Sequence, residues 1–237
     1  MPPEPERRPS DGDPRSVAAG PPLAGPVEER LADKLSAPRP DGSAGHDRAT
    51  AVLRRLGRYD RAIYRSVAGL STPLLDEPLR LVSGFANHSK PWFVTAGIRA
   101  LFGGPQGRRA ALTGVAAIGA TSLVVNQPMK MIGNRRRPDR DDLGVPEARR
   151  VTMPTSTSFP SGHSASAAAF AVAVGDLLPT LKLPLRGAAS VVAFSRVYTG
   201  VHYPSDVLVG ATVGALLGRA ASTVARRAAG AGRIKSQ

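Results

Sequence analysis

From residue 110 to residue 129 the chain runs without a single charged side chain, and this run constrains the fold more than any other feature. As a helix it would be about 30 Å long, the thickness of a bilayer's hydrocarbon core. It is rich in Gly, Ala, Ser and Thr, which let neighbouring membrane helices approach closely. Three more apolar stretches follow: 163–178, broken only by Asp176; 183–195, broken by Arg186; and 207–218, uncharged. Residues 92–102 and a weaker, amphipathic 74–86 precede them. The pattern predicts an all-α, membrane-embedded helical bundle of about five to six transmembrane helices, with one long polar insertion. A soluble all-α bundle with an Ala-rich core is the competing reading, because several runs fall short of the roughly 20 residues a crossing needs. Uncharged surfaces built from Ala and Gly suit lipid better than water, which favours the first.

The remainder of the chain divides by composition. Residues 1–50 hold ten prolines and few large apolar side chains, so they are expected to form a disordered Pro-rich tail. Residues 51–228 form the expected membrane domain, and 229–237 a short basic tail. The first 50 residues carry seven basic and nine acidic side chains. Residues 51–237 carry 25 basic and nine acidic ones, a net of +16, which points to an anionic partner. Residues 51–67 predict a basic amphipathic helix with Val52, Leu53, Leu56, Tyr59, Ile63 and Val67 near one face. That helix would either lie on an anionic membrane surface or pack against the domain. The chain has no cysteine, which removes disulfides, thiolate metal sites and cysteine nucleophiles. Its start, MPPEPERRPSDGDPRS, lacks the apolar core of a secretory signal, so internal segments must direct any insertion.

Polar residues crowd at three places where apolar helices end. Lys130 to Pro138 reads KMIGNRRRP, four cations within eight residues. Pro160-Ser161-Gly162-His163 opens an Ala-rich helix, whose free N–H groups favour an anion. Ser195 to Asp206 reads SRVYTGVHYPSD, with Pro204 and Ser205 announcing a new helix and leaving His202 in the turn before it. No cluster with metal-ligand spacing accompanies the two histidines, so a metal-independent reaction without a cofactor is expected. A histidine nucleophile oriented by a carboxylate four residues on, with a second histidine to protonate the leaving group, makes a phosphoryl-transfer site. Lys130, Arg137 and Arg196 would neutralise the non-bridging oxygens.

These three segments resemble the signature of the type-2 phosphatidic acid phosphatase superfamily, which also includes bacterial class A acid phosphatases and vanadium haloperoxidases. The signature is Lys, six residues, Arg-Pro; then Pro-Ser-Gly-His; then Ser-Arg, five residues, His, three residues, Asp. Every fixed position is matched here. The resemblance implies that His202 is the nucleophile and forms a phosphohistidine, that Asp206 orients it, and that His163 is the general acid. It further implies that Lys130, Arg137, Ser161, Gly162 and Arg196 bind the phosphoryl oxygens. Arg135 and Arg136 fall outside the fixed positions and are expected to be solvated, as most charge runs are.

The expected function is therefore a membrane lipid phosphatase acting on a phosphomonoester or pyrophosphate. Phosphatidate, a phosphatidylglycerol phosphate and a polyprenyl phosphate or pyrophosphate are the substrates considered. If the four stretches from residue 110 onward each cross once, the polar segments share one face. Arg108, Arg109, Lys182, Arg186, Arg226 and Arg227 share the other, which the positive-inside tendency makes cytoplasmic. The expected placement is a multi-pass cell-membrane protein, its site extracytoplasmic and both termini cytoplasmic. A vanadate-dependent haloperoxidase is disfavoured, since those proteins are soluble and larger. A non-enzymatic basic protein binding phosphate, membrane or nucleic acid is disfavoured because such a patch needs no paired histidines and aspartate; no nucleic-acid partner is expected.

Overall fold

A computed structural model describes residues 44–133 and 135–234. The tail expected over residues 1–50 lies outside the described residues except for 44–50, which are helical, and the basic end is helical as far as Ile234. Among the described residues there are helices and no strands. We number the longer ones α1 (Ala44–Ala68), α2 (Pro73–Phe85), α3 (Lys90–Phe102), α4 (Gly104–Val124), α5 (Gly162–Leu177), α6 (Lys182–Tyr198) and α7 (Pro204–Ile234). The polar insertion is irregular, with a single short helical turn at Glu147–Arg149.

Local chemistry fixes where these helices start and stop. α4 follows Gly104, whose φ of +62° suits glycine, and carries a proline in its first turn. It ends where Pro128, lacking an N–H, forces the widened π-helical turn Val125–Met129, after which Lys130–Gly133 completes one more turn. At the start of α5 the Ser161 side chain accepts from the Ser164 N–H as an N-cap. α6 closes on Gly200 at φ +73°, with the N–H groups of Val201 and His202 both donating to the Arg196 carbonyl at 3.1 Å. A Cβ at Gly200 would sit 2.8 Å from the Tyr64 hydroxyl, so this turn needs glycine for space as well as for φ.

Packing places α5 at the centre. Ser164 to Ala167, Ala169 to Ala171 and Ala173 to Gly175 are all buried, a helix enclosed on nearly every side by α4, α6 and α7. α7 runs parallel to it in a register that steps by four: Gly210, Gly214 and Gly218 press on the carbonyls of Ser161, Ala165 and Ala169, where any Cβ would overlap the backbone. α4 runs antiparallel, its Gly114 seated on the Phe170 ring and its Gln106 Nε2 donating to the Leu177 carbonyl at 3.2 Å. α3 folds back along α4 and brings Trp92 to 5.6 Å from Phe170.

Five helices, α3 to α7, therefore run along the bundle, while α2 and the second half of α1 cover one end of it. Asp76 of α2 meets Tyr198 and Ser83 of α2 meets Arg196 and Thr199, so both parts of α2 touch the last turn of α6 and the helix lies across it. The weak 74–86 helix is thus not a further pass through the bundle. Asp60, Tyr64, Asp76, Ser83 and Asn87 meet Ser205, Gly200, Tyr198, Arg196 and His163 at this end, whereas α7 carries Arg226 and Arg227 to the other. Of the two readings of the 51–67 helix, α1 packs against the domain with its polar side and leaves most of its apolar stripe outside. Gly57, Asp60, Tyr64 and Ala68 turn inward, and Leu56, Tyr59 and Ile63 are about half exposed. The inward face is chosen by polar partners, since Asp60 and Tyr64 find donors and acceptors inside that leucine and isoleucine cannot use.

Large apolar side chains also stand exposed around the flanks of the bundle, among them Phe93, Ile98, Leu112, Leu123, Phe194 and Leu216. Gly104–Met129, at 26 residues, and Pro204–Ala231, at 28, are long and apolar enough to cross a bilayer. α5 and α6, at 16 and 17 residues, are about 25 Å long, shorter than the hydrocarbon core.

Candidate active site

The end of α4, the starts of α5 and α7, and the turn after α6 converge on a cavity of about 270 Å³. Lys130, Arg137, Gly162, His163 and His202 line it together, so five of the eight expected site residues share one wall-to-wall space. The other three stand just outside. Asp206 is fully buried behind His202. Ser161 lies beneath the cavity, where its hydroxyl accepts from the Ser164 hydroxyl and caps α5. Arg196 is buried beside it, donating to the Ser83 carbonyl at 2.9 Å and the Ser83 hydroxyl at 2.6 Å. It borders a neighbouring crevice with Arg80, Asn87 and Arg150. Both residues thus support the cavity wall in this structure.

The two nitrogens of His202 have separate surroundings. Nδ1 faces Asp206, 3.5 Å from Oδ2, with no nearer partner. Nε2 opens toward the cavity, 3.2 Å from Arg137 Nη1. Burial, set against the opposing pull of Asp206 and helped by Arg137 and Arg196, pushes the imidazole down to about 4. His202 is therefore the free base at neutral pH, with the nitrogen remote from Asp206 available for attack. Arg137 donates as well to the carbonyls of Ser156 and Val201, at 2.9 and 2.8 Å, which aims its guanidinium at the cavity. Burial lowers it to about 10, still charged at neutral pH. Burial and then Arg137 lower Lys130, whose ammonium donates to the Ser156 hydroxyl at 3.3 Å. Two cations held close without an anion between them are arranged to receive one. Among the described residues no group of His, Asp and Glu is placed to hold a metal ion.

Several residues of the site were not anticipated from the sequence. His163 Nε2 lies 2.9 Å from Asn87 Oδ1, in the short turn between α2 and α3. The next two residues, His88 and Ser89, line the cavity and adopt left-handed φ values of +55° and +58°. Consecutive non-glycine residues in that region store strain, a feature concentrated at functional sites. Asn126, in the widened turn, lines the cavity too. Arg135 corrects an expectation. It is wholly buried rather than solvated, and pairs with Asp206 and Asp60; Arg136 alone of the two is exposed.

With this geometry in place, comparison with known proteins is direct. The PAP2 superfamily model matches residues 111–229, and the chain belongs to that superfamily. Decaprenylphosphoryl-5-phosphoribose phosphatase of Mycobacterium tuberculosis is 31% identical over 176 residues, covering 70% of this chain and 93% of that protein. Lipid A 1-phosphatase of Rhizobium johnstonii is 31% identical over 183 residues, covering 70% and 72%. Among solved structures, a transmembrane PAP2-type phosphatidylglycerolphosphate phosphatase from Bacillus subtilis shares the fold with a TM-score of 0.59 at 23% identity, covering 84% of this chain and 92% of that one. LpxE of Aquifex aeolicus gives 0.54 at 24%, covering 68% and 92%. The protein is a phosphatase.

Proposed function

We propose that the protein hydrolyses the phosphomonoester of a membrane lipid through a phosphohistidine on His202. The observation that carries this reading is the separation of the two His202 nitrogens, one held by a carboxylate and the other facing a cavity lined with cations. His202 Nε2 attacks phosphorus, the bond to the leaving oxygen breaks, and that oxygen takes a proton from His163, whose imidazolium burial and Arg196 disfavour until the negative charge of the bound phosphate beside it favours it. Water then attacks the phosphoryl group, giving its proton to His163 and returning the electron pair to Nε2. Lys130, Arg137 and the N–H groups at the start of α5 hold the non-bridging oxygens in both steps.

The exposed apolar flanks and the two long apolar helices support a membrane location, with the cavity at one end of the bundle. Arg108, Arg109, Lys182, Arg186, Arg226 and Arg227 lie toward the opposite end, which favours a cytoplasmic position for that end and an extracytoplasmic site. Beside the cations the wall carries Ser89, Thr121, Ser122, Asn126 and Ser166 together with the apolar Val125 and Pro154. Its hydroxyl and amide groups offer hydrogen-bond partners to a phosphate carried on a hydroxylated headgroup. The relatives, a decaprenylphosphoryl-5-phosphoribose phosphatase and a lipid A 1-phosphatase, support a headgroup phosphate as the substrate.

The test is phosphate release by the detergent-purified protein, with EDTA present, from phosphatidate, phosphatidylglycerol phosphate, polyprenyl pyrophosphate and decaprenylphosphoryl-5-phosphoribose, beside His202→Ala. Release from a lipid with a hydroxylated headgroup, lost in the variant and indifferent to EDTA, is expected. Release retained in His202→Ala overturns the mechanism.

A further inference from the structure

Asp206 is committed on both oxygens before it reaches His202. Its Oδ1 accepts from Arg135 Nη1 at 2.8 Å. Its Oδ2 accepts from the Ser158 hydroxyl and from the Tyr203 N–H, the latter at 2.9 Å, and only then faces His202 Nδ1. Arg135 is itself fixed from three further sides. Nη2 pairs with Asp60 Oδ2 at 2.7 Å, Nη1 also donates to the Ser205 hydroxyl at 2.8 Å, and the guanidinium carbon lies 3.7 Å from the centre of the Tyr203 ring. Asp60 in turn accepts from the Ser205 N–H and hydroxyl, each at 2.8 Å. Arg135, Asp60 and Asp206 are all nearly or wholly buried.

A buried carboxylate next to an imidazole normally does two things. It orients the ring, and it makes the ring more basic by stabilising the imidazolium. Only the first serves a nucleophile that must be the free base, and a guanidinium on the far oxygen of the same carboxylate opposes the second. We propose that Arg135, anchored by Asp60, is the positioning residue of the nucleophile pair: it fixes Asp206 and takes a share of its charge, so that the carboxylate orients His202 while leaving it neutral. Arg135 contacts Asp206 directly and, through Ser205 and the Tyr203 ring, the turn that carries His202, and it acts as a positioning residue through these. The inference rests on the phosphohistidine reading and adds a determinant to it.

The other charged and titratable groups around His202 are accounted for. They are Arg137 from the polar insertion, Arg196 of α6, and, around the cavity, His163 of α5, Lys130 after α4 and His88 after α2. Arg135 pairs directly with the Asp206 carboxylate, and Tyr203, which also donates to it, lies against Arg135.

The experiment uses the full-length protein in detergent micelles with a soluble aryl phosphate, measuring kcat/KM from about pH 4 to about pH 9. Arg135→Gln is expected to move the acid limb up by about one pH unit or more, because Asp206 is then answered chiefly by His202. Arg135→Lys is expected to restore most of that shift. Asp60→Asn leaves Arg135 charged with one carboxylate fewer to satisfy, so its acid limb stays in place or moves down. Folding of each variant is followed by its thermal midpoint. If Arg135→Gln does not fold, the sign of the Asp60→Asn shift decides. A folded Arg135→Gln with an unmoved limb, or an Asp60→Asn limb that moves up, overturns the inference. A parent protein that releases no phosphate from any substrate overturns the reading of the site itself, a separate outcome.

Discussion

Asp206 Oδ2 lies 3.5 Å from His202 Nδ1, one helical turn along the chain, and the Ser161 N–H donates to the Asp206 carbonyl at 2.9 Å. The same residue thus faces the His202 imidazole with its side chain and ties down the start of α5 with its backbone. Asp206→Asn keeps the backbone bond and the shape but removes the charge that fixes the tautomer. It should reduce kcat by roughly 10² to 10⁴, the range associated with a positioned general acid or base. Steady-state phosphate release measures this, and a variant within a factor of about three of the parent would remove Asp206 from the mechanism.

The acid side of the pH profile should be set by His202. Its value in the folded protein is pushed down to about 4, below the roughly 6.5 of a free imidazole, chiefly by burial. The nucleophile is then unprotonated well below neutrality, so kcat/KM should hold its plateau to about pH 5 before falling. Stability follows the same sign. Between these two values the unfolded chain binds more protons than the folded one, so this group's contribution is complete above about 6.5 and is lost as pH falls toward 4. An acid limb centred near 6.5 would show that His202 is not the buried base described.

Asn87 should matter to the rate more than to binding. Its Oδ1 pairs with His163 Nε2 at 2.9 Å, which orients the expected acid from outside all three signature segments. Asn87→Ala leaves Lys130, Arg137 and Gly162 in place. The expected result is a fall of about tenfold or more in kcat with little change in KM. A change confined to KM would instead make Asn87 a substrate contact.

The segments that hold Lys130, Gly162, His163, His202 and Asp206 were legible because they lie at or next to helix ends, where apolar periodicity stops, and Arg137 in the polar insertion was legible by its fixed spacing from Lys130. Helix ends carry the unpaired N–H groups and dipole that phosphate chemistry uses, so fold and site share one signal. What stayed hidden depends on contacts distant in sequence. Arg135 stands in a run of three arginines and reads as solvated, yet its partners Asp60 and Asp206 are 75 and 71 positions away. Asn87 and His88 belong to a turn with no pattern of its own. The sequence left open what covers α1, because its apolar stripe with Leu56 and Ile63 suits a membrane surface as well as the domain. Buried hydrogen bonding selects Asp60 and Tyr64 instead, and the apolar flank then remains outside.

The contact between α5 and α7 gives a prediction that separates packing from helix propensity. Gly214 meets the Ala165 carbonyl so closely that a methyl group would overlap it, whereas Gly119 on α4 has nothing within 4 Å of its would-be Cβ. Alanine is the better helix former by about 1 kcal/mol, so propensity alone would make both substitutions stabilising. Gly119→Ala should raise the thermal midpoint by a few degrees at most. Gly214→Ala must push the two helices apart, at a cost of about 1–3 kcal/mol or more, and should lower it. Because α5 carries His163 and α7 carries Asp206, the same separation should splay the site and reduce kcat even below the melting range. If Gly214→Ala matched Gly119→Ala in both stability and rate, the close parallel approach of α5 and α7 would be wrong.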